Sequence, residues 1–348
     1  MSFGVLDTTW FSLIGLLWAG YLFLEGFDFG VALITPLVSK DEIDRRMCLN
    51  SVGPFWDGNE VWLIVAGGAT FAAFPLWYAR LFSGFYLALF LILLALIARG
   101  VSFEFRNKDH RPAWRRTWDW ANFLGSLIPP AVWGVAFTNL VVGLPLDSGG
   151  VYRGGLAGLL HPIAVLGGAA TVALVSFHGA NFLLLKTSSG LAHRTRSVAV
   201  PLGVAATLLT GAVVLAVALT RGKALPEALP GVVPLAMAVA GVAGVAAGTF
   251  LVARARDGAA FAATGGSLLL TMGAVFARMF PTVFPDFHHP AHSVTIAAAA
   301  SGHYTLVVMT IVAAIFTPLV LAYQGWTYWV FRRRLMRPTT GSGATGSA

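Results

Sequence analysis

Glu25-Gly26-Phe27-Asp28-Phe29-Gly30 and, one basic loop later, Pro54-Phe55-Trp56-Asp57-Gly58-Asn59-Glu60-Val61-Trp62-Leu63 place four carboxylates within two long apolar runs. A carboxylate at membrane depth costs about 2.5–3.5 kcal/mol on insertion scales, so it rarely persists there without a task. Glu25 and Asp28 are spaced i,i+3, as are Asp57 and Glu60. Each pair therefore lies on one helical face. Two acid-bearing faces on consecutive helices predict one shared polar site inside the bilayer.

The rest of the chain agrees with a membrane setting. Mean hydropathy is +0.76, with 57% hydrophobic and 11% charged residues, against roughly 25% charged in a soluble domain. The net charge of +8 would suggest nucleic acid in a soluble protein. Here the basic residues fall in short loops between spans and report topology, so no nucleic-acid partner is expected. A single cysteine, Cys48, excludes an internal disulfide. Residues 1–9 lack a basic region and the apolar run from Trp10 is too long for a signal sequence, so no cleaved signal is expected.

Apolar runs of about 20 residues predict nine spans: 10–36, 53–74, 79–101, 119–143, 155–182, 199–220, 232–253, 261–280 and 303–331. The weakest boundary is at Pro75-Leu76-Trp77, between the second and third. The segments 40–46, 99–116, 186–196, 254–256 and 332–337 hold eighteen of the 23 Lys and Arg, leaving five for the other side. That bias sets the N-terminus outside and the C-terminus in the cytoplasm. The acids then lie in the cytoplasmic half, with Asp28 about 12 Å deep at 1.5 Å per residue and Arg99 at a depth to reach them. Glu25-Gly26-Phe27-Asp28-Phe29 is echoed by His178-Gly179-Ala180-Asn181-Phe182. The echo suggests an all-α polytopic membrane protein of two four-helix bundles plus a ninth helix. Its parts are 1–150 with the acidic cluster, 151–285, the last helix with its preceding loop at 286–337, and a disordered tail or expression scar at 338–348.

Each motif also has a plainer reading. Trp56, Asp57 and Asn59 could be an interfacial belt with solvated acids, but Leu63-Ile64-Val65 follows at once and Glu60 is about two turns inside. Glu25 and Asp28 could merely pair with Arg99 to hold helices together, which is compatible with passing protons. His178 reads as a hydrogen-bonded helix contact, not a haem or metal ligand. The loop cluster His288, His289 and His292, interrupted by Pro290, is not expected to bind metal. No Cys-x-x-Cys, Gly-rich phosphate loop or Ser/His/Asp arrangement occurs.

Glu25 to Gly30, Arg45-Arg46-Met47, Asn50-Ser51 and Trp56 to Leu63 resemble subunit II of cytochrome bd-type quinol oxidases. So do Phe82 to Tyr86, Trp118-Asp119-Trp120, Gly125 to Pro130 and Gly134 to Phe137, and more loosely Met279-Phe280-Pro281 and Ala300-Ser301. The resemblance implies a heterodimer in a bacterial plasma membrane with subunit I, which carries haems b and d, oxidises quinol and reduces O2 to water. Subunit II is then haem-free, a scaffold and a cytoplasmic proton route. Asp57, Glu60, Glu25 and Asp28 would transfer protons, supported by Trp56, Asn59 and Arg99. Asp28 and Arg99 match positions tied to integrity and haem-site stability. Some members hold a structural quinone against this subunit, and a small accessory subunit fits the same picture. Glu25, Glu60, His178 and Asn181 depart from certain relatives and put a second proton branch in doubt. The rival is an ion- or proton-coupled secondary transporter with a midplane carboxylate site. It would need Gly/Pro-broken helices at matching positions in both halves, and none is clearly placed.

Overall fold

The computed structural model describes residues 4–220 and 231–337. The expected tail at 338–348, and Arg221 and Lys223 of the charge count, lie outside the described residues. The elements are α1 (Val5–Val38), α2 (Glu42–Val52), α3 (Trp56–Ala73), α4 (Pro75–Gly84), α5 (Tyr86–Phe105) and α6 (Pro112–Val142). They continue with α7 (Gly155–Leu159), α8 (Pro162–Lys186), α9 (Ser189–Leu219), α10 (Val232–Ala253) and α11 (Asp257–Met279). A two-stranded antiparallel ribbon, β1 (Thr282–Phe284) with β2 (Val294–Thr295), precedes α12 (Ile296–Ala299) and α13 (His303–Val330).

Eight of the described helices are long and apolar enough to cross a membrane. Of the nine expected spans, the second corresponds to α3, which is not among the eight. Its 18 residues open with Trp56, Asp57, Asn59 and Glu60, which lower its mean hydropathy. The expected third span is also different: a separate ten-residue helix, α4, occupies its first part. Pro75 removes a backbone donor and biases Phe74 away from helical geometry, and Phe74 indeed sits at φ −135°, ψ 69°. The carbonyls freed at the end of α3 are captured from afar. Ser301 donates its N–H to Ala73 O at 2.8 Å and its hydroxyl to Ala72 O at 2.6 Å, satisfying acceptors that a helix end leaves open. The expected fifth span likewise divides into α7 and α8, with Pro162 at the first turn of α8.

Burial sorts the helices. In the apolar window of α1 78% of residues are buried, against 6% in α13, so α1 is central and α13 peripheral. α1 packs against α3, α6, α8 and α11, while α8 packs against α6 and α9 and α10 against α9 and α11. α1 and α8 touch backbone to backbone at Gly30 and Gly179: a Cβ on Gly30 would lie 2.8 Å from Gly179 Cα. The Glu25–Phe29 stretch and its echo therefore cross each other, and Phe27 stacks on Phe182 at 4.0 Å. One end of the bundle carries the amphipathic α2, tied down by ion pairs; the other carries the β1–β2 ribbon.

Candidate functional site

α1 runs to Val38, two residues past its expected end, so Glu25 and Asp28 lie roughly 20 and 15 Å from that end at 1.5 Å per residue. Both side chains are fully buried, as are Asn59 and Arg99. Asp57, in the first turn of α3, is exposed, and Glu60 one turn on is partly buried. The four acids thus form a series from the α2 end of the bundle inward: Asp57, then Glu60, then Glu25 and Asp28.

Of the two α1 acids read as possible partners of Arg99, Glu25 is the one ion-paired with it. Arg99 Nη1 is ion-paired with Glu25 Oε1 and lies 3.5 Å from Glu60 Oε2. Asp28 Oδ2 instead accepts a 2.7 Å hydrogen bond from Asn59 Nδ2. The reason is geometric: α3 brings the short Asn59 amide alongside Asp28, while α5 presents Arg99 at the height of Glu25. The guanidinium is walled by aromatic faces, with Phe29, Phe103 and Trp56 centroids at 4.9, 5.4 and 5.9 Å from Cζ. Trp56 stacks on Phe103 at 4.9 Å. Such faces add cation–π stabilisation to a desolvated guanidinium.

Two residues outside the expected set complete the site. Asn59 Oδ1 accepts from Tyr328 Oη at 2.8 Å and Gln324 Nε2 at 3.2 Å, and Gln324 Oε1 accepts from Trp62 Nε1 at 3.0 Å. Both come from α13, some 265 residues from Asn59 in sequence. Gln324 carried a legible signal, an amide within an apolar span, though nothing in its spacing pointed to Asn59. The result is a polar network, Asp28–Asn59–Gln324/Tyr328, beside an ionic one, Glu25–Arg99–Glu60.

His178 is fully buried and both ring nitrogens are engaged. Nε2 lies 3.1 Å from Phe23 O and Nδ1 2.8 Å from Thr264 Oγ1. A carbonyl only accepts, so Nε2 carries a proton toward Phe23 O, and Nδ1 is within hydrogen-bond distance of the Thr264 hydroxyl. Phe261 stacks on the ring at 4.6 Å. Asn181 is buried on the same helix, with its Nδ2 3.5 Å from Thr264 Oγ1. In this position the echo of Glu25 and Asp28 makes helix contacts.

Ion pairs close the α2 end. Arg106, itself buried, holds Glu42 at 2.9 Å and Asp119 at 2.6 Å. Arg106 keeps the Glu42 carboxyl down at about 2, from its usual 4.5, chiefly through hydrogen bonding. The buried Asp44 pairs with Arg194 and with Arg337, the latter at 2.8 Å.

Comparison with known proteins gives one answer. The sequence model of the family described as cytochrome bd terminal oxidase subunit II matches residues 6–331. The chain is 40% identical over 334 residues to cytochrome bd ubiquinol oxidase subunit 2 of Bacillus subtilis, covering 95% of this chain and 97% of that one. It is 36% identical over 368 residues to cytochrome bd-I ubiquinol oxidase subunit 2 of Escherichia coli K12, covering 97% of each. Among solved structures, a chain of the bd oxidase from Geobacillus thermodenitrificans superposes with a TM-score of 0.73 at 17% identity, over 94% of this chain and 99% of that one. That likeness concerns the fold.

Proposed function

This chain belongs to the cytochrome bd terminal oxidase subunit II family, a multi-pass membrane subunit of an oxidoreductase complex, and we propose that it is the haem-free subunit that feeds protons to its partner. In this reading subunit I carries the haems, oxidises quinol and reduces O2 to water. This subunit braces it and conducts protons from the cytoplasmic side, with the α2 end inside and the N-terminus outside. The chain is read as nine spans: one four-helix bundle of α1, α3, α5 and α6, a second of α8 to α11, and α13.

The observation that carries the proposal is the graded series from exposed Asp57 through Glu60 to the buried Glu25 and Asp28. One guanidinium pairs with two of these carboxylates, Glu25 and Glu60, and the third buried acid, Asp28, is held by Asn59. A buried charge without compensation is costly, so acids retained at this depth around one guanidinium support a proton-passing role. Haem ligation by His178 is disfavoured because each ring nitrogen already has a partner. A transporter working through discontinuous helices is disfavoured too, since α1, α5 and α8 run unbroken past the site.

The reading also assigns a structural quinone to an inter-helix cavity. An apolar cavity of about 150 Å³ between α6, α8, α9, α10 and α11 is lined by Thr210, Thr271 and Arg278. The two threonine hydroxyls are buried without hydrogen-bond partners among the described residues. They and Arg278 would face the quinone carbonyls, which accept hydrogen bonds.

Asn is nearly isosteric with Asp but carries no transferable proton. Asp57→Asn in the intact oxidase is therefore expected to slow oxygen consumption by about tenfold, the equivalent of 1.4 kcal/mol in a barrier. Haem content and electron entry from quinol should stay unchanged. Wild-type turnover across the pH range would sink the proton role, and loss of turnover in step with loss of haem would move Asp57 to assembly.

A further inference from the structure

At the end of the bundle opposite α2, the chain reads Phe284-Pro285-Asp286-Phe287-His288-His289-Pro290-Ala291-His292-Ser293. The histidines alone carry little, because loop histidines beside prolines are commonly solvated. The fold adds Asp286. Its backbone is clamped on either side: Leu144 N–H donates to Pro285 O at 3.0 Å and Phe287 N–H to Leu144 O at 2.9 Å. Its side chain is fully buried. Oδ1 accepts from the backbone N–H of His288 at 2.7 Å and of His289 at 3.1 Å. That leaves Oδ2 turned toward His292.

Asp286 Oδ2 and His292 Nδ1 lie 3.3 Å apart, yet neither makes a hydrogen bond among the described residues. A buried carboxylate oxygen and an imidazole nitrogen, close but misaligned for each other, converge on a third point. Two ligands bound at about 2.0–2.1 Å to one tetrahedral ion are themselves ~3.3–3.4 Å apart. His289 joins them. The 3₁₀ turn Pro290–His292 closes with His292 N–H to His289 O at 2.8 Å, and residues three apart stack on one side of such a turn. The His289 and His292 rings are 5.2 Å apart, and the ligand atoms of Asp286, His289 and His292 all lie within 4.8 Å of one another. His289 is exposed, so its ring can rotate the remaining distance at little cost.

We propose that Asp286, His289 and His292 form a site for a divalent first-row transition ion, Zn²⁺ above all. Two imidazoles and one carboxylate suit Zn²⁺ and related ions, whereas Ca²⁺ and Mg²⁺ favour all-oxygen shells. A water molecule takes the fourth position on the exposed side. The bound ion staples the α11–α12 loop, through Asp286, to the segment around Leu144.

The test uses the intact, chelator-stripped oxidase titrated with Zn²⁺ and, separately, Mg²⁺, by isothermal calorimetry and thermal unfolding. Wild type is compared with His289→Ala/His292→Ala. Asp286→Asn serves as a second variant that keeps the Oδ1 hydrogen bonds. Wild type is expected to bind one more Zn²⁺ per complex than the double-histidine variant, to show a Zn²⁺-dependent rise in Tm that the variant lacks, and to ignore Mg²⁺. Asp286→Asn should weaken that extra site at least tenfold. Equal Zn²⁺ stoichiometry and affinity in all three proteins would overturn the proposal, as would an equal response to Mg²⁺. So would a variant whose metal-free Tm falls with no change in Zn²⁺ response, which would assign the cluster to a His292–Asp286 ion pair.

Discussion

Arg99 is the residue on which the polar interior turns. It is fully buried, and its charge is met by Glu25, by Glu60 and by three aromatic faces. Removing one partner of a buried ion pair costs about 3–5 kcal/mol because the other charge is left unpaired. Arg99→Gln should therefore reduce the amount of assembled complex in the membrane, because Glu25 and Glu60 both lose their cation, while Glu25→Gln/Arg99→Gln recovers part of it by removing the more deeply buried acid as well. Quantifying assembled complex by native gel and immunoblot checks this, and wild-type levels in Arg99→Gln would refute it. Glu42 behaves differently because water reaches it. Its carboxyl is held at about 2 by Arg106, below an unfolded value near 4.5. A depressed carboxyl stabilises the fold fully above the unfolded pKa and loses that contribution as pH falls toward the folded one. Glu42→Gln is thus expected to lower Tm by a constant amount between pH 8 and 6, and by progressively less below about 4.5. Solvent limits the effect to about 1 kcal/mol. A loss that grows as pH falls would contradict this assignment.

Among the helices, α1 and α8 cross in backbone contact. Gly30 and Gly179 let the two backbones meet, and a Cβ on Gly30 would press on Gly179 Cα and N at 2.8 Å, which are backbone atoms with no rotamer to yield. Gly67 and Gly68 in α3 have nothing within 4 Å of an added Cβ. Gly30→Ala should then cost about 1–3 kcal/mol, the range for overpacking, while Gly67→Ala is neutral or slightly stabilising by helix propensity. Thermal unfolding of the two variants distinguishes them, and equal Tm values would mean that α1 and α8 can part freely. The Pro-led starts of α4, α6 and α8 at Pro75, Pro112 and Pro162 differ from the span starts expected at 79, 119 and 155, because apolar length locates a span without its capping turn. The break between α4 and α5 was not expected either. Gly84 and Phe85 resemble ordinary span residues, and the close packing of Gly84 on Tyr152 and Phe284 appears only once distant segments meet.

Taken together, the ends of the molecule differ in charge. Arg106, Arg194 and Arg337 converge on the acids of α2, while Arg153 with Asp147 and the β1–β2 ribbon mark the other end. In the proposed orientation, drawn from the distribution of Lys and Arg, the α2 end faces the cytoplasm. Cys48 is the single cysteine and is buried, so a Cys48→Ser background is silent to thiol reagents. In that background Arg153→Cys should react with an impermeant maleimide in intact cells, and Arg46→Cys only after permeabilisation. The reverse pattern would invert the orientation and move the mouth of the acid series to the outer face.

Hydropathy and spacing sufficed for the membrane class, for most of the spans and for the shared face of Glu25 and Asp28, because apolar length and helical period are local properties. The same local pattern singled out Asp57, Asn59, Glu60 and Arg99. Partnership is not local. That Arg99 takes Glu25 while Asp28 takes Asn59 depends on how far α5 and α3 slide along α1. Tyr328 and Gln324 reach Asn59 from a helix nearly three hundred residues beyond α1. Asp286 becomes a ligand candidate because its backbone docks on Leu144 and aims one oxygen at His292. Which buried polar atoms meet is decided by packing register, since each must find a partner or remain a cost in a medium without water.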